Sequence, residues 1–258
     1  MKRIALVLVM FSVIAGLAVR PVNAADITWT AVGRGIEYTS VPMIAENRPQ
    51  GDIVLVRINP ANVLFRVYYH AGRRKTIQAW ATELPGAAVI VNANYFRGNG
   101  YPIGLVKIGD AILNPPTGRI DSGMFEVRDE VPSIHFLVPE SPIVPLTNRP
   151  YAESFEGHPF LITHGKTMTQ YADDIPMTRA RRTVIAQDDQ GRMLFILASP
   201  IELTLPEMAR WLQNSGLGIV TALNLDGGTS SQLHLISANL PQLERGAAVP
   251  VVLAVYPR

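Results

Sequence analysis

The segment Asp226-Gly-Gly-Thr-Ser-Ser231 is the densest run of chemically capable groups in the sequence, and it follows directly on the apolar run Ile219-Val-Thr-Ala-Leu223 and Asn224-Leu225. Asp226 supplies a carboxylate. Gly227 and Gly228 let the backbone approach a ligand closely and adopt positive φ. Successive N–H groups in such a bend form an anion-binding nest, and Thr229, Ser230 and Ser231 add hydroxyls. The same residues also read as a plain turn. Asp-Gly between strand-like segments is a strong hairpin signal, and Leu233 and Leu235 alternate beyond it. Taken alone, the pattern favours the turn.

Other groups compete for a role. Asn92-Ala-Asn-Tyr-Phe-Arg-Gly-Asn-Gly-Tyr-Pro102 closes a second apolar run with buried-strand asparagines, which need hydrogen-bond partners. A surface loop that satisfies its own turns explains it equally well. Arg179-Ala-Arg-Arg-Thr183 places three arginines before a strand, a set suited to phosphate or carboxylate, although a solvated positive edge is the simpler account. Glu207 could be a second carboxylate, but its spacing from Thr204 is that of a helix capping box. Asp121, Glu153 and Glu156 have no supporting spacing. Ser230 or Ser231 would need a histidine base, His234 would project from a strand at an unrelated angle, and there is no Gly-x-Ser-x-Gly.

Composition narrows the classes. Met1-Lys-Arg3, the apolar run Ile4 to Val19 and the small residues Val22-Asn-Ala24 read as a secretory signal peptide over residues 1–24. The apolar run has 16 residues, short of the ~20 that span a bilayer, so no stable membrane insertion is expected after cleavage. The full chain carries 23 basic and 21 acidic residues; removing Lys2, Arg3 and Arg20 leaves 20 against 21, a net charge of −1. Nucleic acid is therefore not an expected partner. There is no cysteine, which excludes disulfides, thiol nucleophiles and cysteine zinc sites. The five histidines (70, 135, 158, 164 and 234) show no metal-ligand spacing, so neither a metal nor another cofactor is expected.

The elements that must position these groups are mostly short strands. Residues 51–59 and 63–69 flank Pro60-Ala-Asn62 and read as a hairpin. Residues 182–187 and 192–198 flank Asp188-Asp-Gln-Gly191 and read as another. Residues 250–256 read as a final strand, and proline-rich stretches at 114–116 and 139–150 mark loops or edges. Two helices stand out. One starts at Thr204-Leu-Pro-Glu207, with a cap, a proline in the first turn and Leu205, Met208, Trp211 and Leu212 at helical spacing, and ends at Asn214-Ser-Gly216. The other runs from Thr76 to about Leu84, with Ile77, Trp80 and Leu84 on one face. Each helix leads into an apolar strand that ends in polar residues, the first at Asn92 and the second at Asn224 to Asp226. This reads as two similarly built helix–strand units whose strand ends could share a site.

In order, Val91-Asn-Ala-Asn-Tyr-Phe96, Pro102-Ile-Gly-Leu-Val106 with Gly109, Gly157-His-Pro-Phe-Leu-Ile162 with Gly165, Arg182-Thr183, Thr204-Leu-Pro-Glu-Met-Ala209 and Asn224-Leu-Asp-Gly-Gly-Thr-Ser230 resemble the phosphodiester glycosidase domain family across roughly residues 50–256. The chain departs from the family pattern at Ala93-Asn94, where glycines are usual, and at Ala198-Ser-Pro200, where a Val-Asp-Gly-like segment is common. The resemblance implies a β-rich α+β fold. The expectation is a single domain over residues 25–258 with mixed sheets and a few flanking helices. It also implies cleavage of a sugar-1-phosphodiester in an envelope or extracellular glycan, with a carbohydrate or sugar-phosphate as substrate. On that reading Asp226 and Arg182 are catalytic, and Asn92, Asn94, Gly227, Gly228, Thr229 and Ser230 bind substrate. The other readings are a non-catalytic glycan-binding protein on the same fold and a structural envelope protein whose polar loops are only turns.

Overall fold

A computed structural model describes residues 27–45, 48–136, 152–168, 178–236 and 242–258. The expected signal peptide and the proline-rich stretch at 139–150 lie outside these residues. Among the described residues eighteen strands form three sheets. The largest runs β1 (Thr30–Gly33), β2 (Ile36–Ala45), β3 (Arg48–Ile58), β14 (Met193–Leu203), β13 (Ala180–Asp188), β15 (Ile219–Asn224), β11 (Phe160–Thr163), β12 (Lys166–Thr167). The second runs β7 (Ala111–Asn114), β6 (Val106–Ile108), β10 (Glu153–Gly157), β8 (Gly123–Arg128), β9 (Val131–Phe136). The third runs β17 (Gln242–Glu244), β16 (Leu233–Leu235), β5 (Val89–Asn92), β18 (Val251–Pro257), β4 (Val63–Tyr69).

The sheets are not mixed. Every strand pairing among the described residues is antiparallel. The reason lies in the two helix–strand units. A strand–helix–strand crossover makes parallel neighbours when its two strands sit side by side. Here α1 (Ile77–Glu83) links β4 to β5, but β18 lies between them and is antiparallel to both. Likewise α2 (Leu205–Asn214) links β14 to β15 around β13. The same plan is thus built twice.

These strands read as almost continuous apolar runs because both their faces are buried. In β14, Phe195 and Leu197 face a core shared with Phe65, Val91, Phe125, Phe155 and Leu253 between the sheets. Leu194, Ile196 and Ala198 face the opposite way, under Met208, Trp211 and Leu212 of α2. In β18, Leu253 faces the shared core while Val252 and Ala254 lie under Ile77 and Trp80 of α1. Both helices form where the sequence places them, and both start on a threonine cap. The Thr204 side chain accepts from the Glu207 N–H, and the Glu207 carboxylate accepts from the Thr204 N–H. The Thr76 side chain accepts from the Ala79 N–H. Gly216, at φ 69°, follows the second helix as expected.

The two expected hairpins fare differently. β13 and β14 pair from Arg182↔Ala198 to Gln187↔Met193, with Gly191 at φ 76° in the turn. The segments around Pro60–Asn62 do not pair. β3 is occupied on both sides by β2 and β14, and β4 pairs with β18. The 3-10 turn Pro60–Asn62 instead carries the chain from the first sheet to the third. Both segments carry turn signals, but β3 is already paired on both edges, whereas β13 and β14 each give one edge to the other.

Trp80 is fully buried, and its indole N–H donates to Val249 O at 3.1 Å. Replacing Trp80 with Ala should cost about 3–5 kcal/mol, read as a lower midpoint in urea unfolding with an unchanged slope.

Candidate active site

The strands β5 and β15 end side by side, although they belong to different sheets. The Asp226 N–H donates to Ala93 O at 3.0 Å. The Asn92 side chain, fully buried, donates from Nδ2 to Asp226 O at 2.6 Å. Its Oδ1 accepts from Thr183 Oγ1 at 2.9 Å and from the Gln232 N–H at 3.0 Å. One amide therefore ties together the start of β13, the bend after β15 and the approach to β16. Gln232 extends the tie: its Oε1 accepts from the Ile77 N–H and its Nε2 donates to Ala247 O. The geometry gives Asn92 a positioning part, with its polar atoms engaged by protein. Asn94 is also buried and donates to Leu105 O at 2.9 Å.

The Asp-Gly bend is a crossover, not a hairpin. β15 pairs with β11 and β13, whereas β16 pairs with β5 and β17. Between them Gly228–Ser230 makes a single 3-10 turn. Both glycines are needed. A Cβ on Gly227 would meet Arg181 O at 2.8 Å, and Gly228 sits at φ 59°. Arg181 clasps the bend by donating from Nε to Gly228 O at 2.8 Å. Thr229 is exposed and Ser230 buried. Asp226 Oδ1 accepts from the Gly227 N–H at 2.9 Å. Burial nevertheless dominates, and it pushes the carboxyl up to about 6 against the opposing hydrogen bonds from Ser230 and Gly227.

Tyr95 joins His158 to Asn224. Its hydroxyl donates to His158 O at 3.1 Å and accepts from Asn224 Nδ2 at 2.6 Å. Its ring stacks on the His158 ring, centroids 4.2 Å apart. Burial raises the phenol well above the usual tyrosine range; the Asp226 charge adds to this, and Arg182 and Arg119 oppose it. All three charges therefore act on one phenol. Arg182 is buried, with Nε donating to Leu203 O at 2.7 Å and Nη2 to Thr178 O at 2.6 Å. Burial lowers its pKa.

Arg119 arrives from a different direction. Its guanidinium is gripped by the Asp121 carboxylate through Nε at 2.8 Å and Nη2 at 2.7 Å, with the side chain half exposed. Together with burial, it lowers the pKa of His158. The loop that carries it is fixed by Glu156, which is buried and accepts from the Leu105 N–H, the Thr117 N–H, Thr117 Oγ1 and Ser122 Oγ.

The structure thus brings Asp226, Gly227, Gly228, Ser230, Asn92 and Arg182 into one neighbourhood. Asn94 faces Leu105, and Thr229 lies at the surface. Glu207 is the cap and ion-pairs with Arg179. Glu153 accepts from the Val67 N–H in the shared core region. No Ser231–His234 hydrogen bond forms among the described residues. No cluster of three His, Asp or Glu among them is placed to hold a metal ion. Sequence reasoning missed Tyr95, Asn224, His158 and Arg119 as site residues. Tyr95 and Asn224 carried a signal, because each sits at the polar end of an apolar strand. Arg119 carried none, since only the fold joins its loop to Glu156. Replacing Gly227 with Ala should press on Arg181 O, displace Asp226 from its Ala93 partner and lower the melting midpoint by a few degrees, checked by thermal unfolding.

Comparison with known proteins identifies the family and the fold. A family model of phosphodiester glycosidases matches residues 85–256, a span that holds every residue of the site. No curated protein matches the sequence. The structure is similar to the zebrafish N-acetylglucosamine-1-phosphodiester alpha-N-acetylglucosaminidase catalytic domain auto-inhibited by its pro-peptide, at 15% identity over 93% of this chain and 88% of that one, with a TM-score of 0.66. It is also similar to a hypothetical protein from Synechocystis (17% identity, 90% of this chain, TM-score 0.66), of which the chain spans only 64% of the length. A third similar structure is a Burkholderia pseudomallei K96243 protein thought to be exported (12% identity, 80% of this chain and 74% of that one, TM-score 0.53). These structures share the fold; the family match covers two thirds of the sequence, and the chain belongs to the phosphodiester glycosidase family.

Proposed function

We propose that the protein hydrolyses a sugar-1-phosphodiester, releasing the free sugar and leaving a phosphomonoester on the other partner. The observation that carries this reading is a half-buried carboxylate, Asp226, sharing the surroundings of Tyr95 with Arg182 and Arg119. A phosphodiester leaving an anomeric carbon is already a weak base, so it needs little proton donation. It needs its charge held, and arginines in a partly desolvated cleft do that. The oxocarbenium-like sugar needs a nearby carboxylate. In this assignment Asp226 faces the sugar, and Arg182 and Arg119 bind phosphate. Asn92, with Gly227 and Gly228, holds Asp226 in place. The leader-like pattern of residues 1–24 supports a substrate outside the cytoplasm, in an envelope or extracellular glycan.

The carboxylate form of Asp226 is the working one, so kcat/KM should rise with pH through about 6. Replacing Asp226 with Asn should lower turnover of a sugar-1-phosphodiester by at least about 10³-fold. A variant as active as the parent would end the assignment. Ligand-dependent stabilisation of the parent without turnover would point instead to a glycan-binding protein.

The same residue makes a stability prediction of definite sign. The folded-state pKa of about 6 lies above the ordinary carboxylate value. Between those two values the folded chain retains a proton that the unfolded chain has lost, so stability falls as pH rises. Asp226→Asn should therefore melt higher than the parent at pH 8, by roughly 3–8 °C. At pH 4, where the folded parent is neutral there, most of that gain should vanish.

A further inference from the structure

The edge of the third sheet that carries Asn92 also carries a cluster of cations. β4 and β5 are both antiparallel to β18, so both end on this edge. After β4 the chain continues through His70-Ala-Gly-Arg-Arg-Lys75, and after β5 through Tyr95-Phe-Arg-Gly-Asn-Gly-Tyr-Pro102. The two loops lie against each other. A Cβ on Gly100 would meet Gly72 C at 3.1 Å, and one on Gly72 would meet the Tyr101 ring at 3.4 Å. The second loop is closed by hydrogen bonds from the Arg97 N–H to Tyr101 O and from the Gly100 N–H to Arg97 O, both 2.8 Å, and by Arg97 Nη1 donating to Pro102 O. The Arg74 guanidinium lies 5.9 Å from the Phe96 ring centroid.

From Tyr69 to Gly109 the sequence has one acidic residue, Glu83. It is taken by Lys75 and His70. Arg73, Arg74 and Arg97 are exposed and have no acidic partner among the described residues, and Tyr101 beside them is 47% exposed. On a chain whose sequence is otherwise close to charge balance, three unpaired guanidinium groups on two mutually braced loops form a fixed positive surface. It is continuous with the site, because the loop that bears Arg97 starts at Tyr95.

We propose that this surface is a platform for the part of the substrate that lies beyond the cleaved bond, and that this part is a glycan chain with repeating phosphate charges. The arginines contact successive phosphates and Tyr101 lies against a sugar ring. The inference rests on the phosphodiester glycosidase reading and adds the substrate class to it: a phosphate-linked glycan polymer in preference to an isolated sugar phosphodiester.

The test compares the parent with the triple variant Arg73→Gln, Arg74→Gln, Arg97→Gln on two substrates, a methyl sugar-1-phosphodiester and a phosphate-linked oligosaccharide of several repeats. Three exposed ion pairs of ordinary strength amount to about a tenfold change in affinity. The variant should show a KM about tenfold higher for the oligosaccharide, with kcat and all constants for the methyl ester unchanged. Added salt should raise the parent's KM for the oligosaccharide and leave the variant's nearly flat. The corresponding triple Lys variant should recover most of the oligosaccharide KM. Equal oligosaccharide KM in parent and Gln variant overturns the proposal. So does a loss common to both substrates in the Gln and Lys variants, which marks Arg97 as a loop brace. If the parent cleaves neither substrate, the glycosidase reading fails by itself. Titration with the oligosaccharide then decides the platform: binding lost in the Gln variant upholds it, and binding unchanged overturns it.

Discussion

Asn92 has one amide and engages Thr183, Asp226 and Gln232, which lie 91, 134 and 140 residues away, and each of its polar atoms is turned inward. A fully buried amide must be satisfied or the fold bears the full desolvation penalty. Satisfying this one forces β5, the start of β13 and the bend after β15 to meet at one point. The meeting fixes the Asp226 main chain from two sides, through Asn92 Nδ2 and through Ala93 O. The geometry of the Asp226 side chain is thus inherited from backbone contacts that a substrate does not disturb, which is the kind of preorganisation that a charge-stabilising site requires.

The surroundings of Asp226 oppose its charge, and this is informative. Two hydrogen bonds favour the carboxylate, yet burial outweighs them. A carboxyl kept only for structure would be protonated or solvated at little expense to the fold. Here arginines on two independent elements, Arg182 at the start of β13 and Arg119 on a loop pinned by Glu156, supply positive potential around Tyr95. Arg182 is partly desolvated as well. The neighbourhood of Tyr95 holds groups of both signs in conditions that neither prefers alone, a common property of catalytic sites.

What could be read in the sequence was local. The Thr204–Glu207 capping box, the helix from Thr76 to about Leu84, the β13–β14 hairpin and the position of Asp226 at a strand end depend on residues within one element or one turn. What could not be read was competition between elements. Pro60-Ala-Asn62 has sound turn chemistry, but β2 and β14 already occupy the edges of β3. The mixed-sheet expectation failed because each strand–helix–strand unit has a third strand inserted, and no local pattern announces that. Arg119 and Glu156 were equally silent, since Glu156 gains its meaning from Thr117 and Ser122, 39 and 34 residues away.

The strand inserted between β4 and β5 is β18, the last to be synthesised of all those described. The strand inserted between β14 and β15 is β13, which precedes both. One half of the molecule can therefore complete its sheet as it is made, while the other waits for residues more than 150 positions downstream of β5. Pairings of such separation are slow to form. Val252 is the register partner of Asn92, so the strand that carries Asn92 gains this neighbour only when that late strand docks. The acid and its arginines thus all precede, along the chain, the strand that completes the sheet carrying Asn92.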